Sequence, residues 1–430
     1  MGNSDKKISC TFADSGFRLS CGSGAMPLKD GAGKNMIYMM KSGEIYYLIG
    51  KLLALGPWRQ EQPGRITGPA SSIQKVSSIK TLVQTAGIDW QKFVQIASNN
   101  YVLQTLYPKF TENGLAGLLP ADLQDHLRDI HRLNHERNDD ILNYCNNINS
   151  ILVSRNIIPV FMKGAGNLVD GLYYSQGERI MADIDILTRP DKMEAAAELL
   201  IREGYRPFGS FHPAKAKTIK HYPLLLHDDL PAFVEIHRMP VNIQFAAHFD
   251  HTAVFREMRP ALNAPDLMVM SDSHKILLSF FHSQLVHWGY YHARPSLREL
   301  YDLFLLSHRK DPSMVYSSMP RFRGKAAGYL KVMQKIFDSQ QALPDELKGK
   351  GNIYLIRHDI ALTSPRTGRV LYRILKLWRL FISIPVSGLF SRNHRLYMMA
   401  RLKDREWYRR NLLPFKGPKA KEHRKTGKAQ

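Results

Sequence analysis

Apolar residues along the middle of this chain change their spacing twice, and the changes mark out three regions. From residue 72 to 154 they recur at three- and four-residue steps: Leu123, Leu127, Ile130 and Leu133, then Ile141, Cys145, Ile148 and Leu152. That step predicts amphipathic helices, and Pro120 with Asp122 marks the start of one. Asn134, Arg137 and Asn138 lie among them, expected on a solvated face or turned toward a site. From residue 157 to 238 the period drops to two. Ile157–Met162 is an apolar run, and Tyr205–Phe208, His221–His227 and Ala232–Arg238 alternate as strands do. Between them, Asp191–Glu203 carries Met193, Ala196, Leu199 and Leu200 on one helical side, with Gly204 as its stop. From Asp266 to Ser307 the helical step returns. The pattern predicts an α/β (α+β) fold: a small mixed β-sheet core flanked by N- and C-terminal helical regions.

The expected boundaries follow. Residues 1–70 read as a variable or disordered extension with one helix-like insert, Gly43–Leu55. Residues 71–155 form a helical lead-in, 156–240 the sheet-bearing core, and 241–360 a helical C-terminal domain. Residues 361–430 read as a basic amphipathic helix and a disordered tail. The amphipathic stretch, Leu371–Leu389, interleaves apolar residues with Arg373, Lys376 and Arg379. It is suited to an anionic membrane surface, or to packing on the core with its cations outward, and the second arrangement is the expected one.

Charge sharpens that contrast. The formal charge of the 430 residues is +22, of which residues 361–430 supply +15 from 18 Lys and Arg against Asp404, Glu406 and Glu422. The tail is therefore expected either to meet the phosphates of nucleic acid or an anionic membrane, or to stand solvated. Three cysteines, Cys10, Cys21 and Cys145, without CxxC spacing argue against disulfides and structural zinc, and point to the cytoplasm or to the inner membrane face. No signal peptide is visible, and Leu380–Ser391 is too short to cross a bilayer. The run around Gly33 and Lys34 fails as a phosphate loop, because Leu28 stands where its first glycine is needed and Asn35 replaces the Ser or Thr that holds Mg²⁺.

Candidate chemistry concentrates between Phe161 and Leu187, with a further contribution from Glu235. Asp183 and Asp185 sit two apart on an expected strand, so they project from one face while Ile184 and Ile186 fill the other. Paired acids raise each other's pKa, and a divalent cation with hard oxygen preferences relieves the repulsion. Upstream, the strand ending at Met162 meets Lys163-Gly164-Ala165-Gly166, a glycine turn expected to enter a helix over Asn167–Tyr174. Such a turn lets a phosphate approach backbone N–H groups. Downstream, Glu235 lies in the middle of another strand, followed by His237. Two acids on one strand and a third on another suit two-metal phosphoryl transfer.

Taken together, Lys163-Gly164, Arg179 four residues before Asp183-Ile184-Asp185, and Val234-Glu235-Ile236-His237 resemble the uncharacterised bacterial nucleotidyltransferase family of the polymerase-β-like superfamily. The resemblance runs from about Gly87 to about Ser307 and includes the helical stretch His274–Leu303. Similarity to AbiEii-type toxin nucleotidyltransferases is looser, covering the lysine-glycine turn and the segment from Arg179 to Asp185. Ala165 departs from the Ser or Gly usual in the superfamily, which removes a hydroxyl contact but not a backbone one.

The resemblance implies transfer of a nucleoside monophosphate from an NTP to an acceptor hydroxyl of a small molecule, tRNA or protein. It implies Mg²⁺, or Mn²⁺ in its place, on Asp183, Asp185 and Glu235. Lys163 with the backbone of Gly164, Ala165 and Gly166 would hold the nucleotide. Arg179 would stabilise the transferring phosphoryl group or orient Asp183 through a salt bridge, and His237 would support Glu235. A toxin-like tRNA enzyme and a non-catalytic scaffold at a membrane or in polysaccharide assembly are the alternatives. Asp302 is expected in a cap or salt bridge. His282, His287 and His292 are five apart, which on an α-helix keeps them off a common face and disfavours a metal cluster.

Overall fold

The computed structural model describes residues 28–29, 35–36, 38–56, 69–209, 219–339 and 341–402. The glycine-rich run at Gly33 and Lys34, and the basic end from residue 403, lie outside them. A short antiparallel ribbon, β1 (Leu28–Lys29) and β2 (Asn35–Met36), precedes the helical lead-in. Then come α1 (Ser42–Leu53), α2 (Pro69–Thr85), α3 (Trp90–Asn99), α4 (Leu103–Glu112) and the long α5 (Ala121–Val153).

The middle of the chain forms a mixed sheet. Its strands are β3 (Val160–Met162), β4 (Asp183–Leu187), β5 (Arg206–Phe208), β6 (Leu224–Leu226), β7 (Phe233–His237), β8 (Arg259–Pro260) and β9 (Met268–Val269). The seven lie in the order β5-β6-β7-β4-β3-β9-β8. Two of its pairings position the chemistry. β4 runs parallel to β7, with Asp185 opposite Glu235 and Leu187 opposite His237. β3 runs antiparallel to β4, with Met162 opposite Asp185. Ile184, Ile186, Val234 and Ile236 fill the other face and are fully buried. Within the sheet region lie α6 (Lys163–Val169), α7 (Met193–Arg202) and α8 (His251–Glu257). The helix after the glycine turn thus begins at Lys163, not at Asn167 as the sequence suggests, and stops before Asp170.

The helical region beyond the sheet comprises α9 (Asp272–Phe280), α10 (Gly289–His292), α11 (Leu297–Ser307), α12 (Pro312–Ser317), α13 (Arg323–Phe337) and α14 (Asn352–Thr363). It continues in α15 (Pro365–Trp378), α16 (Ile384–Phe390) and α17 (Arg392–Leu402). Among the described residues no helix is long and apolar enough to cross a membrane.

Three expectations change here. Within the range read as an extension, α1 is core: Ile45, Leu48, Ile49, Leu52 and Leu53 are buried. Gly50 lets α1 lie against α13, since a Cβ there would come 2.3 Å from Ile336 Cγ2. The solvated face expected for Asn134 and Asn138 is instead buried against the loop before β4. The third concerns Leu371–Leu389, which lacks the apolar seat expected and turns Arg373 outward but Arg379 inward. α15 buries none of its residues, and Ile374, Leu377, Phe381 and Leu389 are exposed. Arg379 is buried together with Leu380 and Gly388, its guanidinium 4.4 Å from the Trp288 ring centre and within reach of the Leu285 carbonyl. Stacking on an aromatic face suits a weakly hydrated guanidinium, so this one charge goes in while Ile374, Leu377 and Phe381 stay out.

Candidate active site

Period-two alternation on β4 and β7, in parallel register, places Asp185, Glu235 and His237 on one face at the centre of the sheet. Asp183 opens β4 on the same face and is partly exposed, whereas Asp185 is buried. Lys163 follows β3 directly and holds φ at +50°. A left-handed conformation costs a residue with a Cβ about 1–3 kcal/mol. Here it turns the chain sharply from strand to helix and directs the lysine to the acids. Lys163 Nζ hydrogen-bonds Asp185 Oδ1 and lies 4.0 Å from Glu235 Oε2.

His237 bridges the two carboxylates. Its Nε2 is 2.7 Å from Asp185 Oδ1 and 3.0 Å from Glu235 Oε2. Both partners only accept, so the proton sits on Nε2. Burial, followed by the charge of Lys220, lowers the proton affinity of His237 and keeps it neutral. Burial opposes the charge on Lys163, but Asp185 and Asp183 outweigh it and hold the lysine protonated. For Asp185, burial is likewise outweighed, by Lys163 and the His237 hydrogen bond, and its carboxyl sits well below the usual range. Asp183 moves the other way: burial and then the Asp185 charge raise it, against Lys163. The acids are thus unequal, with Asp185 fixed as a carboxylate and Asp183 responsive to a proton or a cation.

The donor set fits a hard divalent cation. Asp185 Oδ2 is buried and has no hydrogen-bond partner among the described residues. An orphan carboxylate oxygen in a dry site is costly unless a cation or donor answers it. Asp185, Glu235 and His237 each bring a ligand atom within 4.8 Å of the others, with Asp183 at the mouth of the group, and carboxylate oxygens suit a hard divalent cation.

The remaining expected residues divide. Gly164 lies at the site, where an added Cβ would be 3.3 Å from Met181 Cβ and 3.6 Å from Arg179 Nη2. Ala165 and Gly166 pack inward: Ala165 is fully buried, and a Cβ on Gly166 would meet the Phe161 carbonyl oxygen at 2.4 Å. Arg179 is buried, and its salt bridge is made with Asp302, not with Asp183. Arg179 Nε is 3.1 Å from both Asp302 oxygens and Nη2 is 3.0 Å from Oδ2, while Tyr173 Oη donates to Oδ1. The backbone beneath it is held from α5: Asn138 Nδ2 donates to the Gln176 and Arg179 carbonyls, and Asn134 Nδ2 to that of Gly177.

Sequence reasoning missed three contributors. Lys220 joins the site through the bridge that pairs His221 with His237, and the acids and Lys163 act on it electrostatically. Burial and the Lys163 charge bring its pKa down to about 8. The lysine run before it, KAKTIK, was the available signal. Arg298, on α11, lies in the fields of Arg179 and Asp183. His282 and His287 meet over Glu299, contrary to the expectation that the spaced histidines stay apart; His292 stacks on Tyr372 instead. Nothing in the local pattern announces that contact, because it depends on how α9 ends.

The profile of an uncharacterised nucleotidyltransferase family matches residues 86–320, more than half of the chain. No curated protein matches it in sequence.

Proposed function

Because the chain belongs to this uncharacterised nucleotidyltransferase family, we propose that it transfers a nucleoside monophosphate from an NTP to an acceptor hydroxyl and releases pyrophosphate. The observation that carries this reading is the register that sets Asp185 beside Glu235 with Asp185 Oδ2 unanswered. Asp183, Asp185 and Glu235 would hold the divalent cation, which when bound neutralises charge on the transferring phosphoryl group and on the leaving oxygens. His237 fixes the rotamers of Asp185 and Glu235 from below. Glu235, the more exposed of that pair, would accept the acceptor's proton. Lys163 and Lys220 supply positive charge for the triphosphate beside the Gly164 turn. Arg179 is held by Asp302 against that turn and contributes its field to Asp183.

The test is transfer of label from α-³²P NTPs with Mg²⁺, offering total tRNA, lysate protein and small-molecule extract separately. Label in one fraction, absent with Asp183→Ala/Asp185→Ala, supports the reading and identifies the acceptor class. Label in tRNA alone favours the toxin-like alternative. No label, with no NTP binding by calorimetry, moves the weight to a scaffold.

A second observation bears on where this happens. Val370, Ile374, Leu377 and Phe381 follow one stripe of α15 and its continuation and are exposed, with exposed Arg366, Arg369 and Arg373 on the same helix. An exposed apolar row beside arginines suits the headgroup region of an anionic bilayer. We infer that the enzyme works at such a surface. Pelleting with phosphatidylglycerol vesicles but not phosphatidylcholine vesicles, weakened by Ile374→Asp/Phe381→Asp, is the expected result. Vesicle binding that the double variant leaves unchanged counts against it.

A further inference from the structure

α9 does not finish as an α-helix. Its continuation, Phe281–Val286, is π-helical, and the His287 N–H donates to the His282 carbonyl at 2.9 Å, a bond spanning five residues. In that winding, residues five apart come to lie over one another, whereas on an α-helix they diverge. Such segments are irregular and concentrate at functional sites. The two imidazoles lie with ring centres 4.0 Å apart. Trp288, which follows, holds φ at +63°, so the backbone is constrained on both sides of His287.

α11 completes the arrangement from the opposite side. Glu299 Oε1 is 3.8 Å from Nδ1 of His282 and 3.8 Å from Nδ1 of His287. One ligand atom from each residue lies within 4.8 Å of the others. A separation of 3.8 Å is too long for a tight direct hydrogen bond and is of the size that an ion between the groups would span. Ligand atoms about 2.0–2.2 Å from a tetrahedral Zn²⁺ lie roughly 3.4 Å apart, a small contraction from the two 3.8 Å separations to Glu299. The His282 and Glu299 side chains are 19% and 20% exposed and that of His287 is 56% exposed, which leaves an entry path. Lys163 and Lys220 act electrostatically on His282, so the trio borders the carboxylate site.

We propose that His282, His287 and Glu299 form a second cation site, suited to a borderline divalent ion such as Zn²⁺ and separate from the all-oxygen site of Asp183, Asp185 and Glu235. Two imidazoles and one carboxylate are a zinc donor set, and three protein ligands leave a fourth position for water or an anionic oxygen.

Cobalt reads the site without any nucleotide, so the result does not depend on transfer activity. The full chain, stripped with chelator, is titrated with Co²⁺ and then Zn²⁺. One equivalent of Co²⁺ should give an intense tetrahedral visible band that one equivalent of Zn²⁺ displaces. The band should persist in Asp183→Asn/Asp185→Asn. Affinity should fall by more than about 100-fold in His287→Ala and in Glu299→Gln. His287 is the most exposed of the three, so its variant should keep the native circular dichroism. The proposal is overturned by no band in the unaltered protein, by a band that survives in natively folded His287→Ala, or by a band lost only in the aspartate variant.

Discussion

Two buried carboxylates, Asp170 and Asp185, sit at opposite ends of one scale. Asp170 is fully buried, and cations surround it. Arg259 reaches its two oxygens at 2.7 and 2.8 Å, Arg309 adds a bond at 2.6 Å, Lys275 another, and the Leu262 N–H donates at 3.0 Å. Burial pushes this carboxyl up, but the Arg259 bonds and the Lys275 charge outweigh it and hold the group far below its ordinary range. Asp185 is as deeply buried, yet only Oδ1 is answered, and two further carboxylates share its face. One cluster has more cation than acid and the other more acid than cation. The first ties the end of α6 to β8, α9 and the end of α11, so it fixes the helical region to the sheet. The second leaves negative charge to be matched by something that binds. A surplus partnered within the chain marks structure, and a deficit marks chemistry.

The comparison breaks if Asp170 proves dispensable. Asp170→Ala takes their shared carboxylate from three cations; Arg259 keeps Asp272 at 3.0 Å, but Lys275 and Arg309 are nearly inaccessible to water. Removing one partner of a buried ion pair costs about 3–5 kcal/mol. We expect urea unfolding of this variant to shift by that amount, with any loss of transfer following the loss of folded protein. Asp185→Asn should show the opposite balance. Transfer should fall by about 10²–10³-fold, while the unfolding free energy falls by less than in Asp170→Ala, because Lys163 and His237 lose one ionised partner but keep Glu235 within reach. Equal unfolding losses in both variants would erase the distinction.

Much of the carboxylate site is legible in the sequence because it is built from strands. A period of two fixes which residues share a face, so spacing alone pairs Asp183 with Asp185, and Glu235 with His237. Lys163 follows from the turn that ends β3. The helical contributions are less legible, since they depend on packing between distant segments. The partner of Arg179 is Asp302, and Glu299 meets histidines from another helix. The histidine spacing misleads for a specific reason: it assumes about 100° per residue, and the π segment breaks that assumption. Asn134 and Asn138 look like a solvated face because polar residues in a long helix usually are one. Only the loop they hold gives them a buried role.

That loop supplies a prediction of intermediate size. Asn138→Ala leaves the Gln176 and Arg179 carbonyls without their donor, which should cost about 1–3 kcal/mol in urea unfolding. Because those bonds seat Arg179 beside the Gly164 turn, KM for the NTP should rise more than kcat falls. An unchanged KM with lower kcat would mean that the loop positions the acids and not the nucleotide.

The smallest effect tests the charge deficit itself. Burial and Asp185 raise the pKa of Asp183 above its ordinary value. A raised carboxyl means that the folded protein keeps its proton to a higher pH than the unfolded chain does. Ionising it therefore costs stability, and that cost is absent in acid and complete near neutral pH. Asp183→Asn removes the cost, so it should raise Tm at pH 7 by roughly 1–3 °C, with the gain shrinking as pH falls through the raised folded-state pKa and gone below the unfolded value of about 4. Mg²⁺ should reverse the sign at pH 7, because it stabilises only the protein that retains the full acid set. For the same reason the acid limb of the transfer activity should move to lower pH as Mg²⁺ is increased, since cation and proton compete for Asp183. A Tm lowered by Asp183→Asn without metal at neutral pH would mean that the acids are already matched, and that the deficit separating Asp185 from Asp170 does not exist.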